Sequence, residues 1–591
     1  MSFFRLLSIL LLLFSASHAM AASIHVVDEY GAPVPTAMVT QSAGEPRERD
    51  TSDGGYQAHG KPAEVDVDRT GFTNANGFVN FPARQGSLRY RVRQYGYKDA
   101  VTTAATDGNL SVSLQKETDP VLLAAAKPAN IWLGVLELGS IEAKQHFQMQ
   151  CGFCHQLGTS FTRKERSPEE WSELIKRMVR YGSRLPTDLQ KSLPEVLPKE
   201  WARISAHPEA LAPAPAWDPS LSAVSITEWP LGDSMSQMHD MLIAESGLVY
   251  VADNIQDRLH EVDTRTNVVT VYKIPHRDGE GNGGLIAGRL KDFPRHDSTS
   301  NAHSLAESKR DGHIFITPSA QRRLVEFDPE TKKFTLHEMD QGFYPHTIRV
   351  DGQDRVWFTL ALSNQVAMFD RAAQKFTLYD LPARNFKEKI LTRYMHVIFK
   401  LIGWGIPLPN MLSIDWESTG TPLAYGIDVS PDGTVWFARL HTKEIGNIDP
   451  KTGKITMIQT PFTGPRRLRV DAEGNPWIVA FAESSLAKYA VAEKKFLVYP
   501  LPVVPKGSET PYALNVDKKR NVVWVNGNQS DSLYGFDVTR ETWTTIPLPR
   551  RTTFTRDIEI AEDGTLYTSN SNFPSWHIED GQPTLIRVER R

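Results

Sequence analysis

Both cysteines of the 591-residue chain lie in one stretch, "MQCGFCHQ", where Cys151 and Cys154 are followed at once by His155. Two thiols at this spacing support three kinds of chemistry. They can cycle between dithiol and disulfide. They can bind zinc, although a structural zinc site wants four ligands and the chain has no second cysteine pair. They can also form two thioethers to a porphyrin, with the next histidine placed to bind iron from one face; C-x-x-C-H is the attachment signature of c-type haem. The histidine separates these options. One covalent haem c is the expected cofactor, on Cys151 and Cys154, with His155 at the iron.

A haem needs a helical pocket, and downstream comes "SPEEWSELIKRMVRYG". Ser167 suits an N-cap, Pro168 the first helical position and Glu170 a capping box. Trp171, Leu174, Ile175 and Met178 share one helical face, and Gly182 offers a stop. Met178 follows His155 by 23 residues. It is either the second axial ligand of the iron or a gap-filling core residue. Met149 and His146 are rivals that sit too near the attachment site to reach the far face easily. Residues 130–200 resemble small class I c-type cytochromes in CGFCH, the W…I…RM helix and "LPTDLQKSL". That resemblance implies Met178 as the sixth ligand.

The elements that must position this motif are mostly strands. After residue 217 one pattern recurs seven times, from "MHDMLIAESGLVYVADN" through "PHTIRVDGQDRVWFTLA" and "YGIDVSPDGTVWFARLH" to "RDIEIAEDGTLYTSNSN". A second piece, as in "SNQVAMFDRAAQKFTLYDLP", lies between copies. Four short antiparallel strands per repeat predict a seven-bladed β-propeller. "SITEWPLG", ahead of the first repeat, matches an outer strand and is expected to complete the last blade, closing the ring. The repeats resemble the virginiamycin B (streptogramin) lyase family in "PHTIRVDGQDRVWFT", "YGIDVSPDGTVWFARLHTKEIGNIDPKTGKI" and "RLRVDAEGNPWIV". This likeness spans about residues 217–591 and implies the fold more than the reaction.

The first residues of each repeat are expected to face the propeller axis, and are read as His239, His303, His346, Gly426, Arg467, Ala513 and Asp557. Imidazoles there can bind a divalent metal, or act as general base and hydrogen-bond donor. They can equally hold the ring together through backbone hydrogen bonds. Arg467 and Asp557 would orient a substrate or balance a metal's charge. The lyase resemblance implies an acid two residues before the histidine and a glutamate on the next strand; Tyr344 and Leu360 stand near His346 instead. Antibiotic-lactone elimination is therefore not expected.

Residues 24–116 read as short strands and turns, a small β-sandwich. "SIHVVDEYGAPVPTAMVTQ" and "TGFTNANGFVNFPA" resemble the carboxypeptidase regulatory-like domain, which implies a docking module without chemistry. His25 and His59 stand alone there. Ahead of it, Arg5, the apolar run Leu6–Phe14 and "SASHAMAAS" read as a secretory signal, too short to span a bilayer. The mature chain is expected to be exported, to the periplasm if the cell is Gram-negative, with no transmembrane anchor after cleavage. A net charge of −4 gives no argument for nucleic acid.

Two insertions interrupt the repeats. "HRDGEGNGGLIAGRLKDFPRHDSTS" reads as a rim loop. Residues 387–412 are apolar for a loop, and are expected to cover the channel mouth, dock the haem domain or touch a membrane surface.

The expected chain is mainly β with a small α domain: signal 1–22, sandwich 23–118, cytochrome c-like domain 119–212 and propeller 213–591. Its expected function is electron transfer to or from a small-molecule substrate or partner oxidoreductase bound by the propeller. The alternatives are a propeller lyase or hydrolase with a structural haem, and a non-catalytic scaffold.

Overall fold

A computed structural model describes residues 22–43, 59–84, 86–104, 109–287, 298–406, 408–411 and 421–590. The expected export signal lies outside the described residues except for Ala22, as does part of the first insertion. The chain is mainly β, and no described helix is long and apolar enough to cross a membrane.

From residue 224 onward, the strands gather into seven antiparallel units of four. Six of these are sequential hairpin meanders, such as Pro345–Val350, Arg355–Leu360, Gln365–Asp370 and Lys375–Asp380. The seventh joins both ends of the ring. Thr584–Arg590 pairs with Val224–Pro230, with Ile586 opposite Glu228. Each unit's first strand touches the first strand of the next, and the last touches the first, so the sheets form a closed propeller ring. Closure buries the inner edges, which an open array would expose. The alternation of buried and solvated positions is weak on inner strands because neighbouring sheets cover both faces.

The N-terminal strands make two small sheets packed about Ile24, Val39, Tyr90 and Val92. One of these does not stop at its own edge. Asp68–Phe72 pairs with Val224–Pro230, so the sandwich sheet and the closing sheet of the ring run on as one eight-stranded sheet. Ala63–Glu64 likewise adds to the outer strand Val268–Lys273 of the first ring sheet.

Between these parts lies a helical segment with its own core of Ile131, Trp132, Phe147, Trp171, Ile175 and Trp201. The helix Ile141–Cys151 starts at Ser140, whose side chain accepts from Ala143 N–H. Pro168–Arg180 starts with the expected capping box of Ser167 and Glu170. It ends ahead of Gly182, whose φ of +115° few other residues adopt. Thr187–Ala206 packs against it. The apolar insertion forms the helices Phe386–Arg393 and Met395–Gly403 and a last turn, Leu408–Met411, that touches the Pro168–Arg180 helix.

Candidate functional site

Cys151 ends its helix, and the C-x-x-C-H loop turns directly onto the mouth of the ring. Gly152 is required here: a Cβ would lie 2.6 Å from the Gln148 carbonyl oxygen. Arg556 donates to the Phe153 and Cys154 carbonyls at 3.3 and 3.2 Å. Gln156 donates to the Asn528 carbonyl and to Asp531, at 2.7 and 2.6 Å, and Leu157 N–H donates to Gln529 Oε1 at 2.8 Å. The Phe153 ring packs on the Arg466 guanidinium, 4.4 Å from it. The motif therefore belongs to an interface with the propeller and not to a free-standing helical unit.

One cavity of about 360 Å³ separates helices from ring. Its upper wall carries Cys151, Cys154, His155, Leu174 and Met178; its floor carries His239, His303, His346, Tyr425, Tyr512 and Arg556. Trp171, Ile175 and Val179 are the buried face of the Pro168–Arg180 helix, while Met178 is half-buried and turned to the cavity. Met149 is buried against the ring beside Phe481 and Ala482, away from this wall. Phe399 of the apolar insertion also lines the cavity, so this segment flanks the chamber as a cover.

The floor is an arc of rings. The His239–His303 and His303–His346 centroids are 3.7 Å apart, and Tyr425 follows at 3.9 Å from His346. Arg466 then lies 4.6 Å from the Tyr425 ring and 3.5 Å from Tyr512, with Arg556 5.1 Å beyond. The seven positions facing the mouth are thus His239, His303, His346, Tyr425, Arg466, Tyr512 and Arg556. The expectation of Gly426, Arg467, Ala513 and Asp557 was one residue late in the last four sheets.

The reason is physical. The inner strands carry a register shift at their start, as between Met238 and Met241 or Pro465 and Leu468. A bulge of one extra residue lets two successive side chains aim at the axis. Arg467 and Asp557 belong to the second, deeper layer: Arg467 bonds Asp240 at 2.6 Å and Asp557 at 3.2 Å. The signal was present in the sequence. In every repeat a small residue, methionine or proline precedes the large one: MH, AH, PH, AY, PR, PY, TR.

Burial sets the protonation of this floor. It pushes His239 down to about 4, against the pull of Asp240, and drives His303 and His346 well below their ordinary value, helped by neighbouring imidazoles and by Arg467. All three are neutral rings at neutral pH. Asp240 resists burial because Arg467 and His239 hold it well below the usual carboxylate range. His239, Asp240 and His303 offer ligand atoms within 4.8 Å of one another, a candidate cation site. His441, which the sequence reading did not single out, also lines the cavity, with Nδ1 on the Thr421 carbonyl.

The upper wall fits a covalent haem. The Gln156 carbonyl lies 2.9 Å from His155 Nδ1. A carbonyl only accepts, so Nδ1 carries the proton and Nε2 keeps its lone pair for a metal. Burial lowers the His155 affinity for protons, which also favours the neutral ligand. Burial, then Cys154, pushes the Cys151 thiol up to about 12, whereas a dithiol redox centre needs an accessible thiolate. Among the described residues, no aspartate or glutamate lines the cavity, but Arg166, Arg177, Arg184 and Arg556 do. Such a set complements a flat apolar group that carries two carboxylates.

No model of a known protein family and no curated protein matches the chain. Its structural neighbours include virginiamycin B lyase-like β-propeller proteins. A streptogramin B lyase superposes with a TM-score of 0.47 at 14% identity, over 62% of this chain and 98% of that one. Virginiamycin B lyase from Staphylococcus aureus gives 0.45 at 13%, over 62% and 99%. The extracellular domain of a hybrid two component system from B. thetaiotaomicron gives 0.40 at 12%, over 60% and 40%.

Proposed function

We propose that this chain is an exported monohaem c-type cytochrome, periplasmic in a Gram-negative cell. In this reading a carboxypeptidase regulatory-like sandwich and a class I-like cytochrome segment precede a seven-bladed, lyase-like propeller. The propeller holds a small substrate, or part of a partner oxidoreductase, against the haem pocket. One observation carries this reading: the attachment motif and the axial ring line the same cavity.

Cys151 and Cys154 would hold the haem, His155 Nε2 and Met178 would bind its iron, and Arg166, Arg177 and Arg184 would pair with its carboxylates. When bound, the haem supplies one-electron transfer. The chain's own residues do the rest. The neutral imidazole arc and the aromatic rings exclude water from the floor, and Arg556 fixes the attachment loop to it.

The experiment is expression with cytochrome maturation machinery. The expected product carries one haem by mass and shows a Soret band, both lost in Cys151→Ser/Cys154→Ser. A colourless, haem-free wild-type protein would overturn the reading. Met178→Leu is expected to change the axial-ligand spectrum and lower the reduction potential; an unchanged spectrum would move the ligand assignment to His441.

A second reading, a propeller lyase or hydrolase using a divalent metal, rests on the His239–Asp240–His303 cluster. Arg467 on Asp240 opposes a cation there. Tyr344 and Leu360 also lack the carboxylates that streptogramin lactone elimination would need. Metal analysis of haem-loaded protein separates the two: iron alone supports the first.

The proposed membrane contact has a specific face. Phe386, Ile390, Tyr394, Val397 and Trp404 are exposed along the helices of the insertion, at helical spacing. Lys387, Lys389, Arg393 and Lys400 lie beside them. Glu388, the acid among residues 386–406, is buried on Arg439. An anionic lipid surface fits this combination.

A further inference from the structure

Beneath Phe153, two guanidiniums and two phenols form one hydrogen-bonded row. Arg466 Nη2 donates to the Tyr425 hydroxyl at 2.6 Å, the Tyr425 and Tyr512 oxygens are 2.9 Å apart, and Arg556 Nη1 donates to Tyr512 at 2.8 Å. A guanidinium only donates, so each phenol oxygen already accepts one hydrogen bond. The contact between the two oxygens uses one proton. A second phenolic proton would have no protein acceptor among the described residues and would have to point into the cavity.

Charge leads to the same conclusion. Arg466 is fully buried, has no carboxylate within ion-pair distance among the described residues, and leaves Nε and Nη1 without partners. Its charge rests on the faces of Phe153, Tyr425, Phe481 and Tyr512. Arg556 is also buried, and its donors go to two loop carbonyls, Ser571 and Tyr512. The nearby carboxylates Asp240 and Asp557 are engaged by Arg467. Two buried cations without a counter-ion are costly. A negative charge shared by the phenols offsets one of the two.

We propose that Tyr425 and Tyr512 hold one proton between them, and that this phenol–phenolate pair is the cavity's proton acceptor for a substrate bearing a hydroxyl or N–H group. Both rings line the cavity. In the step, the substrate's O–H or N–H bond breaks, its electron pair stays on the substrate, and the hydrogen joins the Tyr512 oxygen. The products are a neutral phenol pair and a substrate anion beside Arg556. The shift in ionisation agrees: burial raises Tyr512, but Arg466, Arg556 and Arg467 outweigh it and leave it below its ordinary value, while burial keeps Tyr425 well above. Three guanidiniums surround the Tyr512 ring, Arg466 at 3.5 Å, Arg556 at 5.1 Å and Arg467 at 5.7 Å, which favours the shared charge on Tyr512.

The substrate role rests on the proposed function above; the ionisation does not. Ultraviolet resonance Raman spectra of the full-length protein at neutral pH test it. A tyrosinate band is expected in the native protein, absent after unfolding in denaturant at the same pH and absent in Tyr512→Phe, which keeps the ring under Arg466. Native and unfolded spectra without that band would overturn the ionisation, whatever the variant does. Saturating para-nitrophenol, a weak acid, is expected to discharge the band in wild type; an unchanged band would overturn the acceptor role. A haem-free protein that keeps the band would sink the haem reading alone, and a haem-loaded protein without it would sink this proposal alone.

Discussion

The Arg466 guanidinium sits 4.4 Å from the ring of Phe153, the residue between Cys151 and Gly152 on one side and Cys154 on the other. A deep propeller side chain thus grips the middle of the C-x-x-C-H motif. Phe153→Ala is expected to lower stability by about 2 kcal/mol, since the ring is only half-buried and full truncation of a buried one costs ~3–5. Phe153→Leu should restore packing but not the cation–π contact, leaving a deficit of about 1 kcal/mol. Denaturant midpoints measure both. A Phe153→Ala protein as stable as wild type would mean the loop is not seated on the ring.

Arg467→Met should be among the most damaging changes in the ring. It leaves Asp240 buried without its cation and Asp557 with only the more distant Arg469, 3.8 Å away. Loss of one partner of a buried pair costs about 3–5 kcal/mol. Adding Asp240→Asn should recover part of the loss, which a double-mutant cycle by calorimetry would measure.

The histidine arc predicts acid lability. The folded protein keeps His239 neutral down to about 4, whereas the unfolded chain takes up a proton near 6.5. Its contribution is complete above 6.5 and is lost as the pH falls toward 4, at about 3 kcal/mol for this ring. His303 and His346 act in the same direction. Stability measured from neutral to mildly acid pH should therefore fall, and His303→Gln should flatten the fall. A flat wild-type profile would contradict the buried, neutral arc.

Vesicle co-sedimentation tests the exposed helical face. Binding to phosphatidylglycerol vesicles but not phosphatidylcholine vesicles is expected, weakened on the order of 100-fold by replacing Lys387, Lys389 and Lys400 with glutamine at roughly 1 kcal/mol per charge near the surface. Equal binding to both lipids would remove the electrostatic part of the argument. No binding to either would remove the membrane contact.

The readable parts of the sequence were those with a local signature. C-x-x-C-H, the capping box at Ser167 and the outer strand at 225–232 could each be seen in a few residues, and the structure shows the capping box and the closing strand where they were expected. The floor of the cavity was half legible. His239, His303 and His346 stood out by type, but Tyr425, Arg466, Tyr512 and Arg556 were missed because a bulge offers two neighbouring side chains to the axis and period-2 reasoning allows one. The Asp240 partner of His239 was hidden for the same reason. Contacts such as Arg556 with the Cys154 carbonyl join distant segments, and no local pattern reports them. The pairing of Asp68–Phe72 with the ring was equally invisible, because a strand's sequence names its buried face but not its neighbour.

That pairing bears on how the chain is made. The strand Val224–Pro230 leaves the ribosome long before its ring partner, Thr584–Arg590. During that interval a lone strand would offer two bare edges to other nascent chains. The sandwich, synthesised earlier still, has the strand Asp68–Phe72 that pairs with one of them in the folded protein. Formed first, that pairing would hold the closing strand in register until the final segment arrives.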